Sequence, residues 1–129
     1  MKDSRSVRAF APATVANVVC GFDVFGFAVH APGDTVTVRW SEVPGVTIQS
    51  ISGDGGQLPT EAGRNTAGAA IINFLNQAGI NHGVEMELVK GLPLGSGMGS
   101  SAASAVAALV AVNELTGCNL SRAELLPFA

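Results

Sequence analysis

The chain has 129 residues, enough for one domain with a real core and too few for two ordinary ones. Hydrophobic residues make up 47% and charged residues only 13%, against a usual charged share of roughly 25%, so intrinsic disorder is excluded. The net charge is −3 and the seven Lys and Arg residues are scattered, which argues against a nucleic-acid partner.

The N-terminal stretch MKDSRSVRAF has no apolar run behind its charges and does not read as a signal peptide. The first expected strand is residues 6–10, leading into Pro12. Residues 24–29 form a continuous apolar run, the pattern of a strand buried on both faces. Pro32-Gly33-Asp34 signals a turn. Residues 35–40 then alternate, with Val36, Val38 and Trp40 on one side, so the two strands predict a hairpin. A further strand over residues 46–51 is followed by a loop at Gly53-Asp54-Gly55-Gly56.

The first helix is expected to start at Asn65 or Thr66, either of which can cap it, and to stop at Gly79. Ala67, Ile71, Phe74, Leu75 and Ala78 recur on one face. Residues 84–89 alternate again, with Val84, Met86 and Leu88 inward. A second helix is expected from Ser100 to Thr116, ended by Gly117, with Val106, Leu109, Val110 and Val112 packing. Its first two turns are almost all Ser and Ala, so a backbone or a ligand can come close. Residues 102–112, the longest apolar stretch, fall far short of the roughly 20 residues of a membrane span.

Ser121-Arg122-Ala123-Glu124 is a capping box announcing another helix, which Pro127 should kink. A helix that opens and closes within two turns is marginal alone. Residues 1–120 therefore read as one domain, and 121–129 as the start of a helix leading into a further, C-terminal domain. Cys20 and Cys118 form no CxxC pair and read as reduced thiols, while His30 and His82 sit next to turn residues and read as ordinary surface or turn histidines. The expected setting is the cytoplasm, with no membrane partner.

The segment that carries chemistry is Pro93-Leu94-Gly95-Ser96-Gly97-Met98-Gly99-Ser100-Ser101-Ala102-Ala103, between a strand and a helix. Alternate glycines at 95, 97 and 99 let backbone N–H groups turn inward as an anion nest. The nest is delivered at a helix N-terminus, whose dipole favours negative charge. The Ser100 and Ser101 hydroxyls can cap the helix or a phosphate, or reach a phosphate-bound metal. Every part suits a triphosphate. No lysine lies between Gly91 and Ser101, so this is not a GxxxxGK[ST] loop, and the glycine spacing fails the dinucleotide fingerprint.

This segment resembles the P-x-x-x-G-L-G-S-S-A-A signature of the galactokinase, homoserine kinase, mevalonate kinase and phosphomevalonate kinase (GHMP) superfamily, with Met98 in place of Leu. Ala11-Pro-Ala-Thr-Val-Ala-Asn17-Val-Val-Cys-Gly21-Phe-Asp23-Val-Phe-Gly26 resembles the homoserine kinase branch, and the Gly-Glu-His element of mevalonate kinases and galactokinases is missing. The branch usually has Gly-Pro where this chain has Val19-Cys20.

The resemblance implies an α+β fold, a mixed β-sheet with helices packed on one side, akin to a ribosomal-protein domain. It implies transfer of the ATP γ-phosphoryl to the side-chain hydroxyl of L-homoserine, with Mg²⁺, in threonine biosynthesis. ATP would be held by residues 93–103 and by Asn65, which equally well reads as a plain N-cap. Ser101 would contact the metal, Asp23 would take the substrate ammonium, and Asn17 its hydroxyl. No catalytic base is assigned. The arginines, the magnesium carboxylate and a third Gly-rich signature would lie in the C-terminal domain, so the 129-residue chain alone should be inactive or nearly so. A homodimer stays open. The competing readings are another small-molecule kinase of the superfamily and a non-catalytic nucleotide-binding module.

Overall fold

A computed structural model describes residues 5–12, 33–91 and 100–128. Among these, four strands form one mixed sheet: β1 (Ser6–Pro12), β2 (Gly33–Ser41), β3 (Val46–Ser52) and β4 (Gly83–Val89). Their spatial order is β1-β2-β4-β3. β1, β2 and β4 are antiparallel neighbours, and β3 lies parallel to β4. A parallel neighbour needs a crossover. Here it is a short 3₁₀ turn, Ala62–Arg64, and helix α1 (Thr66–Ala78). Helix α2 (Ser100–Thr116) follows β4, and a short helix α3 (Arg122–Leu125) runs into a final 3₁₀ turn, Leu126–Phe128.

The period-2 pattern decides which sheet face is covered. Val36 and Val38 of β2 and Val84, Met86 and Leu88 of β4 are buried, and they form one core with Ile71, Phe74 and Leu75 of α1 and Leu109, Val112 and Leu115 of α2. The opposite face of β2 and β4 carries Thr35, Thr37, Arg39, Glu85 and Glu87, and there Arg39 bridges both glutamates. Helices on one side of a mixed sheet are the α+β arrangement that the resemblance implies.

Both long helices keep their expected bounds. Asn65 caps α1 by accepting from the N–H groups of Ala67 and Gly68, and Gly79 closes it in the left-handed region at φ 71°. Ala78 differs from expectation: it lies in the exposed last turn, beyond the reach of the core. α2 is buried nearly all round, because Ala103, Ala105, Ala107, Ala108 and Ala111 let β1, β2 and α1 pack against it. Val110 is a correction, since it is 46% exposed on the outward strip of that helix.

The strand pattern needs two further corrections. Gly33 and Asp34 belong to β2 and pair with Pro12 and Ala11, so they extend a strand where a turn was expected. The expected hairpin is the second, because β1 and β4 take both edges of β2 over residues 35–39, while residues 24–29, His30 and Cys20 themselves lie outside the described residues. His82 sits at a bend, as a turn histidine, but it is half-buried: its ring centroid is 5.3 Å from that of Trp40, and its Nε2 is buried with no hydrogen-bond partner among the described residues.

The capping box forms as expected, with the Glu124 N–H donating to Ser121 Oγ and the Ser121 N–H to Glu124 Oε1. Pro127 stops α3 after one turn, and the chain folds back onto α1. Leu125 is buried, and the Phe128 ring lies 5.7 Å from that of Phe74. No described helix is long and apolar enough to cross a membrane.

Candidate nucleotide site and the strand ends beneath it

In sequence the Gly-rich segment connects the end of β4 to the start of α2. Residues 92–99, which hold Pro93, Leu94, Gly95, Ser96, Gly97, Met98 and Gly99, lie outside the described residues, as do Asn17 and Asp23. Ser100 and Ser101 form the first turn of α2, with side chains outside the described set. Ala102 is half-buried, and Ala103 is fully buried in the core, so Ala103 supports the helix start from below.

The backbone around the two ends of this segment is drawn tight. Lys90 extends the β3–β4 ladder by donating its N–H to the Ser52 carbonyl at 2.8 Å. A Cβ on Gly53 would sit 2.2 Å from the Lys90 carbonyl oxygen, and one on Gly91 would sit 1.9 Å from that of Gly33. Both glycines are required by close backbone approach.

Under this corner lies a group of side chains that the sequence reading passed over. The inward row of β2 starts with Asp34, two residues before Val36, and that of β4 runs on to Lys90, two residues past Leu88. Both are buried, with side-chain exposures of 0% for Asp34 and 1% for Lys90. Lys90 Nζ donates to Asp34 Oδ2 and, at 2.8 Å, to Ser104 Oγ. Ser104 Oγ donates to the same Oδ2 at 2.9 Å, which closes a ring of three side chains from β2, β4 and α2. Asp34 Oδ1 accepts the N–H of Gly91 at 2.9 Å. Charges taken so far from water survive only when paired and hydrogen-bonded. The signal for them was present: the alternation that marks Val36 and Leu88 as inward continues to one acid and one base.

Asn65 caps α1 and ties its start to Pro59. Its Oδ1 accepts from the Ala67 N–H at 3.0 Å and the Gly68 N–H at 3.3 Å, and its Nδ2 donates to the Pro59 carbonyl at 3.0 Å. Between β3 and α1, Asp54 organises residues 54–58 in the same way: Oδ1 accepts from Gly56 and Oδ2 from Leu58. The Leu58 bond, then the Gly56 bond, hold the Asp54 carboxyl below its ordinary value of 3.8. No cluster of three or more His, Cys, Asp or Glu residues able to hold a metal occurs among the described residues.

The sheet order, the parallel crossover and a helix N-terminus following a Gly-rich segment define a class. The chain belongs to the family described as GHMP kinases N-terminal domain, whose profile matches residues 65–129. It is 49% identical to the homoserine kinase of Chloroherpeton thalassium and 51% identical to that of Chlorobium phaeobacteroides, over 96% and 97% of this chain. The chain spans 42% of the length of these relatives. A crystal structure of homoserine kinase from Cytophaga hutchinsonii superposes with a TM-score of 0.82 at 46% identity, covering 99% of this chain and 41% of that one. The mevalonate kinase of Methanococcus jannaschii shares the fold at a TM-score of 0.58 and 15% identity, covering 99% of this chain and 44% of that one.

Proposed function

We propose that the whole protein is a homoserine kinase, which moves the γ-phosphoryl of ATP to the side-chain hydroxyl of L-homoserine in threonine biosynthesis. The observation that carries this reading is the 49% identity to a protein named homoserine kinase, spread over 96% of the chain. It is supported by a Gly-rich segment that joins a strand directly to the N-terminus of a 17-residue helix. Such a helix start offers unpaired N–H groups and the positive end of the dipole to a triphosphate.

Residues 93–103 are proposed to hold the triphosphate and Asn65 to touch the adenine in addition to capping α1. The first turn of α2 suits a phosphate-bound metal, because a hydroxyl at Ser101 is a hard oxygen donor of the kind Mg²⁺ takes. Mg²⁺, when bound, neutralises charge that builds on the transferred phosphoryl group. Asp23 is proposed to take the substrate ammonium as a charge-assisted hydrogen bond, and Asn17 to orient the accepting hydroxyl. Phosphoryl transfer of this type depends on positioning and electrostatics, so no residue is assigned as catalytic base. Residues 1–120 are proposed to form the nucleotide-binding domain, with 121–129 leading towards a C-terminal one, and the protein is proposed to act in the cytoplasm.

The test is ADP release by the whole protein with ATP and Mg²⁺, supplied in turn with L-homoserine, mevalonate and galactose. Turnover with homoserine alone is the expected result. Turnover with another acceptor assigns a different branch of the superfamily. ATP binding without turnover on any acceptor would leave a nucleotide-binding module and overturn the proposal.

A further inference from the structure

We infer that Asp34, Lys90 and Ser104 are positioning residues for nucleotide binding: their buried ring fixes the two ends of the Gly-rich segment relative to each other. The inference rests on the reading of that segment as a phosphate-binding loop.

Three observations carry it. The first is placement. Lys90 and Gly91 are the last described residues before the segment, and Ser104 lies one turn into the helix that follows it. Asp34 holds the Gly91 N–H at 2.9 Å and the Ser104 hydroxyl at 2.9 Å, so a single carboxylate clamps both ends. Lys90 Nζ joins the ring from β4, the strand that feeds the segment.

The second is cost. Elsewhere the same inward rows hold Val36, Val38, Met86 and Leu88, and apolar residues would fill the end of the sheet more cheaply than a desolvated ion pair. What an ion pair adds is direction: hydrogen bonds fix distances and angles that apolar packing leaves free. The third is rigidity of the frame. Gly33, Gly53 and Gly91 bring their backbones too close for any Cβ, so the ring is seated on a corner that cannot slide.

Charge explains why the clamp is a pair. A lone carboxylate beneath a helix N-terminus would oppose a triphosphate brought there. Lys90 cancels it in place. With a side chain only 1% exposed, Lys90 acts on the nucleotide through Asp34 and Ser104, to which its Nζ donates.

The test separates positioning from stability. In the whole protein, the triple variant Asp34→Leu/Lys90→Met/Ser104→Ala replaces the ring by apolar side chains of similar size. Three quantities are measured on it: thermal midpoint, affinity for a non-hydrolysable ATP analogue with Mg²⁺ by calorimetry, and the KM for homoserine. The expected result is a folded protein whose affinity for the analogue falls by about tenfold or more, while the KM for homoserine moves less than about twofold. Faster hydrogen exchange at the Gly91 amide and in the first turn of α2 accompanies it. A folded triple variant that binds the analogue as wild type does overturns the inference.

The single variant Ser104→Ala keeps the ion pair, and serves if the triple variant does not fold. It is expected to weaken analogue binding by about threefold with the homoserine KM unchanged, and unchanged binding overturns the inference. Wild-type protein that fails to bind the analogue refutes the phosphate-loop reading itself. Wild-type binding with indifferent variants refutes only the positioning role.

Discussion

Replacing Asn65 by Ala tests how α1 is started, and its cost can be worked from the bonds lost. The side chain makes three: two N–H groups of the first turn, at 3.0 and 3.3 Å, and the Pro59 carbonyl at 3.0 Å. Loss of an N-cap costs about 1 kcal/mol, and loss of the Pro59 bond about 1 kcal/mol more. Ala67 is fully buried and Asn65 is 3% exposed, so water cannot easily take over the abandoned N–H groups. The expected total is about 2–3 kcal/mol, a large share of a typical folding free energy. With a urea m-value of about 1.5 kcal/mol/M, the unfolding midpoint falls by about 1.3–2 M. Asn65→Ser keeps a capping oxygen and loses only the Pro59 bond, so it recovers about half of that shift. A midpoint for Asn65→Ala within about 0.3 M of wild type, or no recovery with Ser, refutes the reasoning.

Phe74→Ala removes a ring that is 1% exposed and packed on Phe128, and should cost about 3–5 kcal/mol by denaturant titration. Gly91→Ala and Gly45→Ala form a contrasting pair for thermal unfolding. At Gly91 the new Cβ would meet backbone 1.9 Å away, and the variant should lose most of its stability. At Gly45 there is nothing within 4 Å and the loss is the φ +86° strain alone, about 1 kcal/mol. Asp54→Asn tests the depressed carboxyl. Its folded value is below the unfolded one, so its stabilisation is fully present above the unfolded value and is lost as pH falls through the folded one. The variant should have a lower urea midpoint than wild type at neutral pH, and the gap should close as pH falls below 3.8.

Residues whose role is set locally were legible. Asn65 before an apolar-periodic run, Gly79 after it, and Ser121 three residues before Glu124 each carry a cap in side chain or backbone freedom, and each does the expected job. Val110 was misread because α2 is walled on most sides. When Ala103, Ala105, Ala107, Ala108 and Ala111 are all buried, hydrophobicity no longer marks the inward face, and a Val can sit on the strip left over. Gly33-Asp34 read as a turn because both residue types favour turns. Tertiary pairing with Ala11 and Pro12 overrode that preference.

The same override explains why the ring of Asp34, Lys90 and Ser104 escaped notice. Charge at a strand end normally means exposure, and a sequence read one segment at a time sees Asp34 as part of a turn and leaves Lys90 just past a strand that stops at residue 89. Only the register of β2 and β4, which pairs Thr35 with Val89, brings the two inward ends side by side. The segment between β4 and α2 then explains their position. Val36 and Leu88 hold the sheet to its helices, and two residues further on the same rows change from apolar to charged where the chain leaves the sheet for the Gly-rich segment. Alternation alone therefore marks each inward row as ending in a charge, Asp34 on one strand and Lys90 on the other, and the strand register is what makes the two a pair where the glycine-rich connection begins.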